Sequence, residues 1–343
     1  MAKNGIRKLC IAILILMLVS VGAALAHETD MVSGVDFGDF GRQAYQYLRF
    51  IDDNFPDRDC VTGRNFEQAR QWIISELKAC GYGDDLIRVQ DFSFKPEGGK
   101  SHASQNIIAT LPGLSSDQII IGAHYDGTGA GDNGSGVALL METASRLIKR
   151  EALPKTLVFI FFSAEEYNCD GSAAYAQAMT KSEIDRTEFM INLDSIIAGD
   201  YCYLYGGIAD FDAETVKDTE ALDKVYAISN RLGLQSRLIP WTFDNPAPGF
   251  QTPDYPSPST GYWSDHYNFA LRGIQYVYFE ASNWDIPGPE EQYDGDSETM
   301  AAGRIMHTDS DHLAALESLF PGRAEYHLQL FSLLLHETLT AKL

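Results

Sequence analysis

Positive charge is what this chain of 343 residues has least of: 26 lysines and arginines stand against 48 aspartates and glutamates, a net charge of −22. A surface of that sign repels phosphate backbones and anionic lipid heads, which excludes nucleic-acid and membrane-surface roles. Other absences narrow the field further. There is no Cys-x-x-Cys spacing, so thiolate ligation of a metal is disfavoured. No Gly-x-Ser-x-Gly elbow exists, and the consecutive Ser264, Asp265 and His266 cannot take up the geometry of a hydrolytic triad. No Pro/Ser-rich linker and no internal repeat divides the chain.

What is present begins with an export signal. Lys3, Arg7 and Lys8 precede an apolar run from 9 to about 21, and Ala24-Leu25-Ala26 supplies small residues for cleavage. Residues 1–26 therefore read as a signal peptide, residues 27–343 as the mature domain, and the product as secreted or periplasmic. An uncleaved anchor is the alternative, because spanning a bilayer takes roughly 20 residues. Cys10 follows Lys8 and Leu9 instead of closing the run, which argues against a lipid anchor there. Cleavage removes three positive charges and no negative ones, taking the net charge from −22 to −25. The sequence does not fix an oligomeric state.

Four cysteines remain after cleavage, Cys60, Cys80, Cys169 and Cys202. An exported compartment lets them oxidise, and four cysteines allow three full pairings. The favoured one joins Cys60 to Cys80 and Cys169 to Cys202, the last two because each follows an expected core strand.

The chain reads as a single α/β domain. Amphipathic helices are expected over 38–54 and 64–80, the second with Ala69, Trp72, Ile73, Leu77 and Ala79 at helical spacing. Short, nearly unbroken apolar runs come next, at 106–111, 118–123, 156–162, 188–193 and 275–279. Separated by helical patterns, such runs predict strands buried on both faces of a sheet with helices on either side. Ser135 is placed to cap a helix whose buried stripe is Val137, Leu140, Ala144, Leu147 and Ile148, and a last helix is expected from about 323 to 339. The Pro- and aromatic-rich stretch 239–262 cannot be a central element and is expected to form a long loop walling the site.

Metal-compatible side chains terminate these strands. The run at 118–123 delivers His124-Tyr125-Asp126, and Asp132 comes after it across a glycine-rich turn. Imidazole nitrogen and carboxylate oxygen together suit zinc, and one carboxylate can bridge two such ions. Asp132 is the expected bridge, with Asp126 as the carboxylate that orients His124. The run at 156–162 ends in Ser163-Ala164-Glu165-Glu166. Adjacent carboxylates at the end of a buried strand repel and lose solvation unless a cation is near. If Glu166 binds that cation, Glu165 can act as general base and then general acid. Asp194 closes the next run, His307 comes late in the chain, and Asp311 or Asp309 could orient His307. Ligands of open α/β sheets bind outside the carboxyl ends of the strands, where all of these residues fall.

Gly129-x-Gly131-x-x-Gly134 fits a dinucleotide fingerprint, which makes an oxidoreductase the rival from another class. Against it, Asp132 would put a negative charge inside the pyrophosphate cradle.

The residues resemble the secreted di-zinc aminopeptidases of the aminopeptidase S and aminopeptidase Y type, from about Arg42 to the C-terminus. The likeness is densest in Gly122-Ala123-His124-Tyr125-Asp126, in Asp132 to Val137, in Ala164-Glu165-Glu166 with Gly171-Ser172, in Asn192-Leu193-Asp194, and in His307-Thr308 with Asp311. It implies a mixed, centrally parallel β-sheet sandwiched between helices. It also implies two zinc ions per chain, one held by His124, Asp132 and Glu166 and the other by Asp132, Asp194 and His307. Glu165 would be the catalytic acid/base, and peptide or protein N-termini the substrates. Glutaminyl cyclases share the scaffold but cyclise N-terminal glutamine with one zinc; the second histidine and Gly171-Ser172 favour a peptidase. Two departures stand out. Tyr167-Asn168-Cys169-Asp170 replaces usually small or aliphatic residues, and Met306 stands where some relatives carry an oxyanion-stabilising tyrosine, a role left here to Tyr255, Tyr262 or Tyr267.

Overall fold

Strands buried on both faces dominate the middle of the molecule, as the apolar runs predict. The computed structural model describes residues 34–150, 152–210, 215–234, 238–240, 264–283 and 298–341. The expected signal peptide and nearly all of the expected 239–262 loop, with Tyr255 and Tyr262, lie outside them. Among the described residues no helix is long and apolar enough to cross a membrane.

Two helices lead, α1 (Arg42–Asn54) and α2 (Phe66–Cys80), followed by β1 (Ile87–Phe94), β2 (His102–Leu111) and β3 (Ser115–His124). Next come α3 (Gly134–Leu147), β4 (Lys155–Phe162), α4 (Asp170–Ala178), α5 (Lys181–Arg186) and β5 (Thr187–Leu193). The second half adds β6 (Tyr201–Tyr205), a small hairpin of β7 (Ile208–Asp210) and β8 (Thr215–Lys217), α6 (Glu220–Arg231), β9 (Leu238–Pro240), α7 (His266–Ala270) and β10 (Tyr276–Ser282). A short hairpin, β11 (Glu298–Thr299) with β12 (Gly303–Arg304), precedes α8 (Leu313–Leu319) and α9 (Arg323–Thr340).

The main sheet has eight strands in the order β1-β2-β4-β3-β5-β10-β6-β9. Its centre, β4-β3-β5-β10, is parallel. Antiparallel pairs flank it, β2 with β4 on one side and β6 with β10 on the other. This is the expected mixed, centrally parallel sheet. Side chains alternate between its faces. Ile120, Val158, Ile160 and Phe162 join Tyr175 of α4 and Phe269 of α7 in one apolar cluster. On the other face Phe279 stacks on Phe331 of α9 at 5.3 Å, and Phe159 meets Tyr82 edge-on at 6.5 Å.

Three expectations are corrected. Asn133, not Ser135, caps α3: its side chain accepts from the Gly136 N–H at 2.9 Å, while the Ser135 hydroxyl donates back to Gly131 O at 2.6 Å. The helix is buried almost all round, not along one stripe, because α1 and α9 cover the side turned away from the sheet. All four cysteines are free thiols. Cys202 lies within β6, four strand positions from β4, whose carboxyl end leads to Cys169. At roughly 4.8 Å per strand that is far beyond disulfide reach. Cys80 closes α2, at the opposite end of that 15-residue helix from the segment that carries Cys60.

Glu142 in α3 ties three helices together. Fully buried, its carboxylate accepts from the Gly41 and Ala44 N–H groups at the start of α1 (2.9 and 2.6 Å), from the Ser332 hydroxyl of α9 (2.7 Å) and from Arg146 Nε (2.7 Å). Glu142→Ala leaves all these donors without an acceptor, and urea unfolding should show a loss of about 3–5 kcal/mol. His327 in α9 is also buried, and burial, aided by the nearby Arg323 charge, pushes its pKa down to about 3. The unfolded chain binds this proton near 6.5 and the native state does not. Its stabilising contribution is thus complete above pH 6.5 and lost as pH falls towards 3. Unfolding curves of His327→Asn should decline less between pH 6.5 and 4 than those of the wild type.

Candidate metal centre

Parallel pairing of β4, β3 and β5 brings their carboxyl ends to one edge, and every strand-terminal ligand candidate lies there. His124 is the last residue of β3, Asp194 follows β5 directly, and Glu165 and Glu166 come just after β4. Asp132 arrives on the turn between β3 and α3. His307 reaches in from the turn after β12, with φ of 57°.

The two oxygens of Asp132 face different histidines. Oδ1 lies 3.1 Å from His124 Nε2 and Oδ2 lies 2.9 Å from His307 Nε2. His124 Nε2 is also 3.2 Å from Asp194 Oδ1, and His307 Nε2 is 3.3 Å from Glu166 Oε2. Two groups result, His124-Asp132-Asp194 and Asp132-Glu166-His307, each with one donor atom per residue within 4.8 Å of the others. The five residues expected to act together are together, but the halves differ from those the resemblance implies. Asp194 belongs with His124 because β5 and β3 are neighbours, and Glu166 belongs with His307.

The charges show what the donor set is suited to hold. Burial opposes protonation of His124, yet the carboxylates of Asp194 and Glu165 outweigh it and raise its pKa well above the usual imidazole range. Hydrogen bonds to Asp132 and Glu166 raise His307 to about 10. Burial pushes Glu165 and Glu166 upward, while the two histidines overcome burial and hold Asp132 below the usual carboxylate range. Each imidazole proton thus stands between carboxylates where a cation would. Mixed imidazole and carboxylate donors around a split carboxylate fit a pair of zinc-type divalent ions.

Glu165 belongs to neither group. Its Oε2 is 3.8 Å from His124 Nε2, and its Oε1 accepts from the Cys169 thiol at 3.4 Å. Asp126 lies behind His124, with Oδ1 3.7 Å from Nδ1, longer than a hydrogen bond; the same oxygen accepts the Glu165 N–H at 3.3 Å. Asp311 does not orient His307. Its carboxylate accepts the N–H groups of Gly131 (2.6 Å) and Asp132 (3.1 Å), while His307 Nδ1 faces Arg304 Nη2 at 3.3 Å and Asp309 is exposed. A Cβ at Gly129 or Gly131 would collide with the Asp311 carboxylate. Gly129 and Gly131, two glycines of the apparent nucleotide fingerprint, therefore cradle a carboxyl that the chain itself supplies.

Sequence reasoning does not assign the outer supports. The Ser264 hydroxyl donates to Asp194 Oδ2 at 2.7 Å and accepts from Asn192 Nδ2 at 2.7 Å. The neighbouring Asp265 is fully buried, and burial raises it to about 7. The Ser-Asp-His run is visible in the sequence, but its tie to Asp194 depends on a fold-level approach. Tyr167, in the departing segment, donates to Asp59 Oδ2 at 2.7 Å and packs on Phe94. Met306 is buried, its sulfur 3.9 Å from the Ser195 hydroxyl, and Tyr267 lies partly buried in α7.

Residues 106–325 match the model of Peptidase family M28. Over 315 residues the chain is 27% identical to the alkaline phosphatase isozyme conversion protein of Escherichia coli K12, covering 84% of this chain and 86% of that one. A 121-residue stretch is 33% identical to aminopeptidase YwaD of Bacillus subtilis 168, covering 33% of this chain and 26% of the relative. Among solved structures, the zinc aminopeptidase BSAP from Bacillus subtilis superposes with a TM-score of 0.64 at 16% identity, over 90% of this chain and 97% of that one. The glutaminyl cyclase of Porphyromonas gingivalis gives 0.64 at 19% identity, over 88% and 98%. At these identities the structural likeness is one of fold. Because the family model matches residues 106–325, well over half of this chain, the chain belongs to peptidase family M28 and is a metallopeptidase.

Proposed function

We propose that this chain is an exported, two-zinc aminopeptidase that hydrolyses the first bond of a peptide or protein with a free N-terminus. The observation that carries the reading is the division of Asp132 between two histidines. One ion would be held by His124, Asp132 and Asp194, the other by Asp132, Glu166 and His307. Bound zinc supplies a Lewis acid for the scissile carbonyl and lowers the pKa of water towards about 7. Glu165 takes the proton from the attacking water and returns it to the leaving amine. Its placement suits that work, because Oε1 rests on the Cys169 thiol while Oε2 is turned to the cluster. Ser264 holds Asp194, and Asp311 holds the turn that presents Asp132.

The exopeptidase preference draws on the resemblance and on the relatives named aminopeptidases. A glutaminyl cyclase shares the fold. Two complete donor groups with a histidine in each favour hydrolysis. Export rests on the charged start and apolar run of residues 1–26.

Glu165→Gln should keep its zinc while kcat falls by about 10²–10⁴-fold, read by metal analysis beside turnover. Ordinary turnover in that variant would remove Glu165 from the mechanism. Asp132→Ala should leave less than one zinc per chain where the wild type holds two, because both groups lose their shared ligand. Assays on amino-acyl amides, N-blocked peptides and an N-terminal glutamine substrate decide the reaction. Release from free N-termini alone is expected; cyclisation of the glutamine substrate would overturn the assignment.

A further inference from the structure

Arg58 has no part in the chemistry above, yet it lies beside the ligands and is only 2% exposed. A buried guanidinium is costly unless its charge and donors are answered. All of its side-chain hydrogen bonds go to backbone carbonyls: Nε to Tyr125 O (3.2 Å), Nη2 to Gly129 O (2.8 Å) and Nη1 to Phe55 O (2.7 Å). Its own N–H donates to Gly127 O at 2.9 Å. Tyr125, Gly127 and Gly129 are alternate residues of the loop that runs from His124 to Asp132, so one residue holds that loop along most of its length.

The charge has a second role. Burial pulls the Arg58 pKa below its usual value, Asp132, Asp311, Asp52 and Asp126 act against that shift, and among the described residues none of these carboxylates accepts a hydrogen bond from it. A direct salt bridge would occupy oxygens that a cation needs. Hydrogen bonding to carbonyls instead leaves the oxygens of Asp132 facing the histidines while the positive charge is held on the loop that leads to Asp132.

We infer that Arg58 is a positioning residue that substitutes for metal charge: it keeps the 125–132 loop and Asp132 in place while the metal positions are empty and becomes partly redundant once they are filled. This rests on the two-metal reading above. Dications repel a nearby guanidinium and also hold Asp132 directly, so the loaded protein loses less than the empty one when Arg58 is replaced.

The test compares melting temperatures of chelator-treated and zinc-saturated wild type, R58Q and R58K, followed by circular dichroism. Zinc should raise Tm in the wild type, and the rise in R58Q should be larger by about 4 °C or more, because the empty form carries most of the damage. R58K retains the charge without the fork and should fall between them. A variant that folds only with zinc is the extreme form of the same result. Equal losses in both forms, a smaller zinc-induced rise in R58Q, or a variant unfolded in both forms overturns the role. Wild type that gains nothing from zinc removes the metal reading itself, and the role of Arg58 with it.

Discussion

Carboxylates gathered at the buried end of a sheet repel one another, and a fold tolerates them only when positive charge is distributed between them. Asp132, Asp194, Glu165, Glu166, Asp126, Asp265 and Asp311 crowd one edge of this molecule, and they are not all answered in the same way. Asp132 sits between two imidazoles, which overcome its burial and hold it below the usual carboxylate range. Asp311 accepts two backbone N–H groups. Burial raises both Asp311 and the fully buried Asp265 to about 7, but only at Asp311 do backbone N–H groups pull the other way. These solutions are graded by how readily they give way. A histidine proton can be exchanged for a metal ion, whereas the peptide N–H groups under Asp311 are fixed. The exchangeable positions are those at the centre, and the fixed ones form the frame.

The frame depends on strand order. With β3 between β4 and β5 in a parallel array, His124 has the Glu165-Glu166 segment beyond β4 on one side and Asp194 at the end of β5 on the other. The carboxyl ends coincide because the pairings are nearly in register, Ile120 opposite both Val158 and Met190. A slip of one residue in either pairing would turn a ligand to the opposite face. The packed rings and methyl groups beneath the site therefore set the distances between donor atoms above it.

This order also explains what could be read in advance. The strands buried on both faces show as apolar runs, and a ligand ending such a run is legible as a candidate. β1 is not, because Arg88, Gln90, Asp91 and Ser93 interrupt it and its burial is patchy, as on a sheet edge. The pairing of ligands into halves is not legible either. It requires knowing that β5 borders β3, and adjacency is a property of the sheet, not of any segment. In the sequence Asp311 looks like a partner for His307 four residues away, whereas its real partners are about 180 residues distant. Arg58, in Pro56-Asp57-Arg58-Asp59, reads locally as a surface residue. Only the closing of the loop over it makes it part of the interior.

The Asp311 contact bears on when the site comes into being. The turn that presents Asp132 is made early in synthesis, but the carboxyl that fills its cradle comes from near the other end of the chain, four residues after His307. A growing polypeptide released or paused before residue 307 has the strand-end ligands in hand, but neither the Asp311 carboxyl under the Asp132 turn nor the second histidine. Contacts of such sequence separation form late. The molecule thus carries its own delay: the two metal-compatible groups come together only when nearly the whole chain has been made.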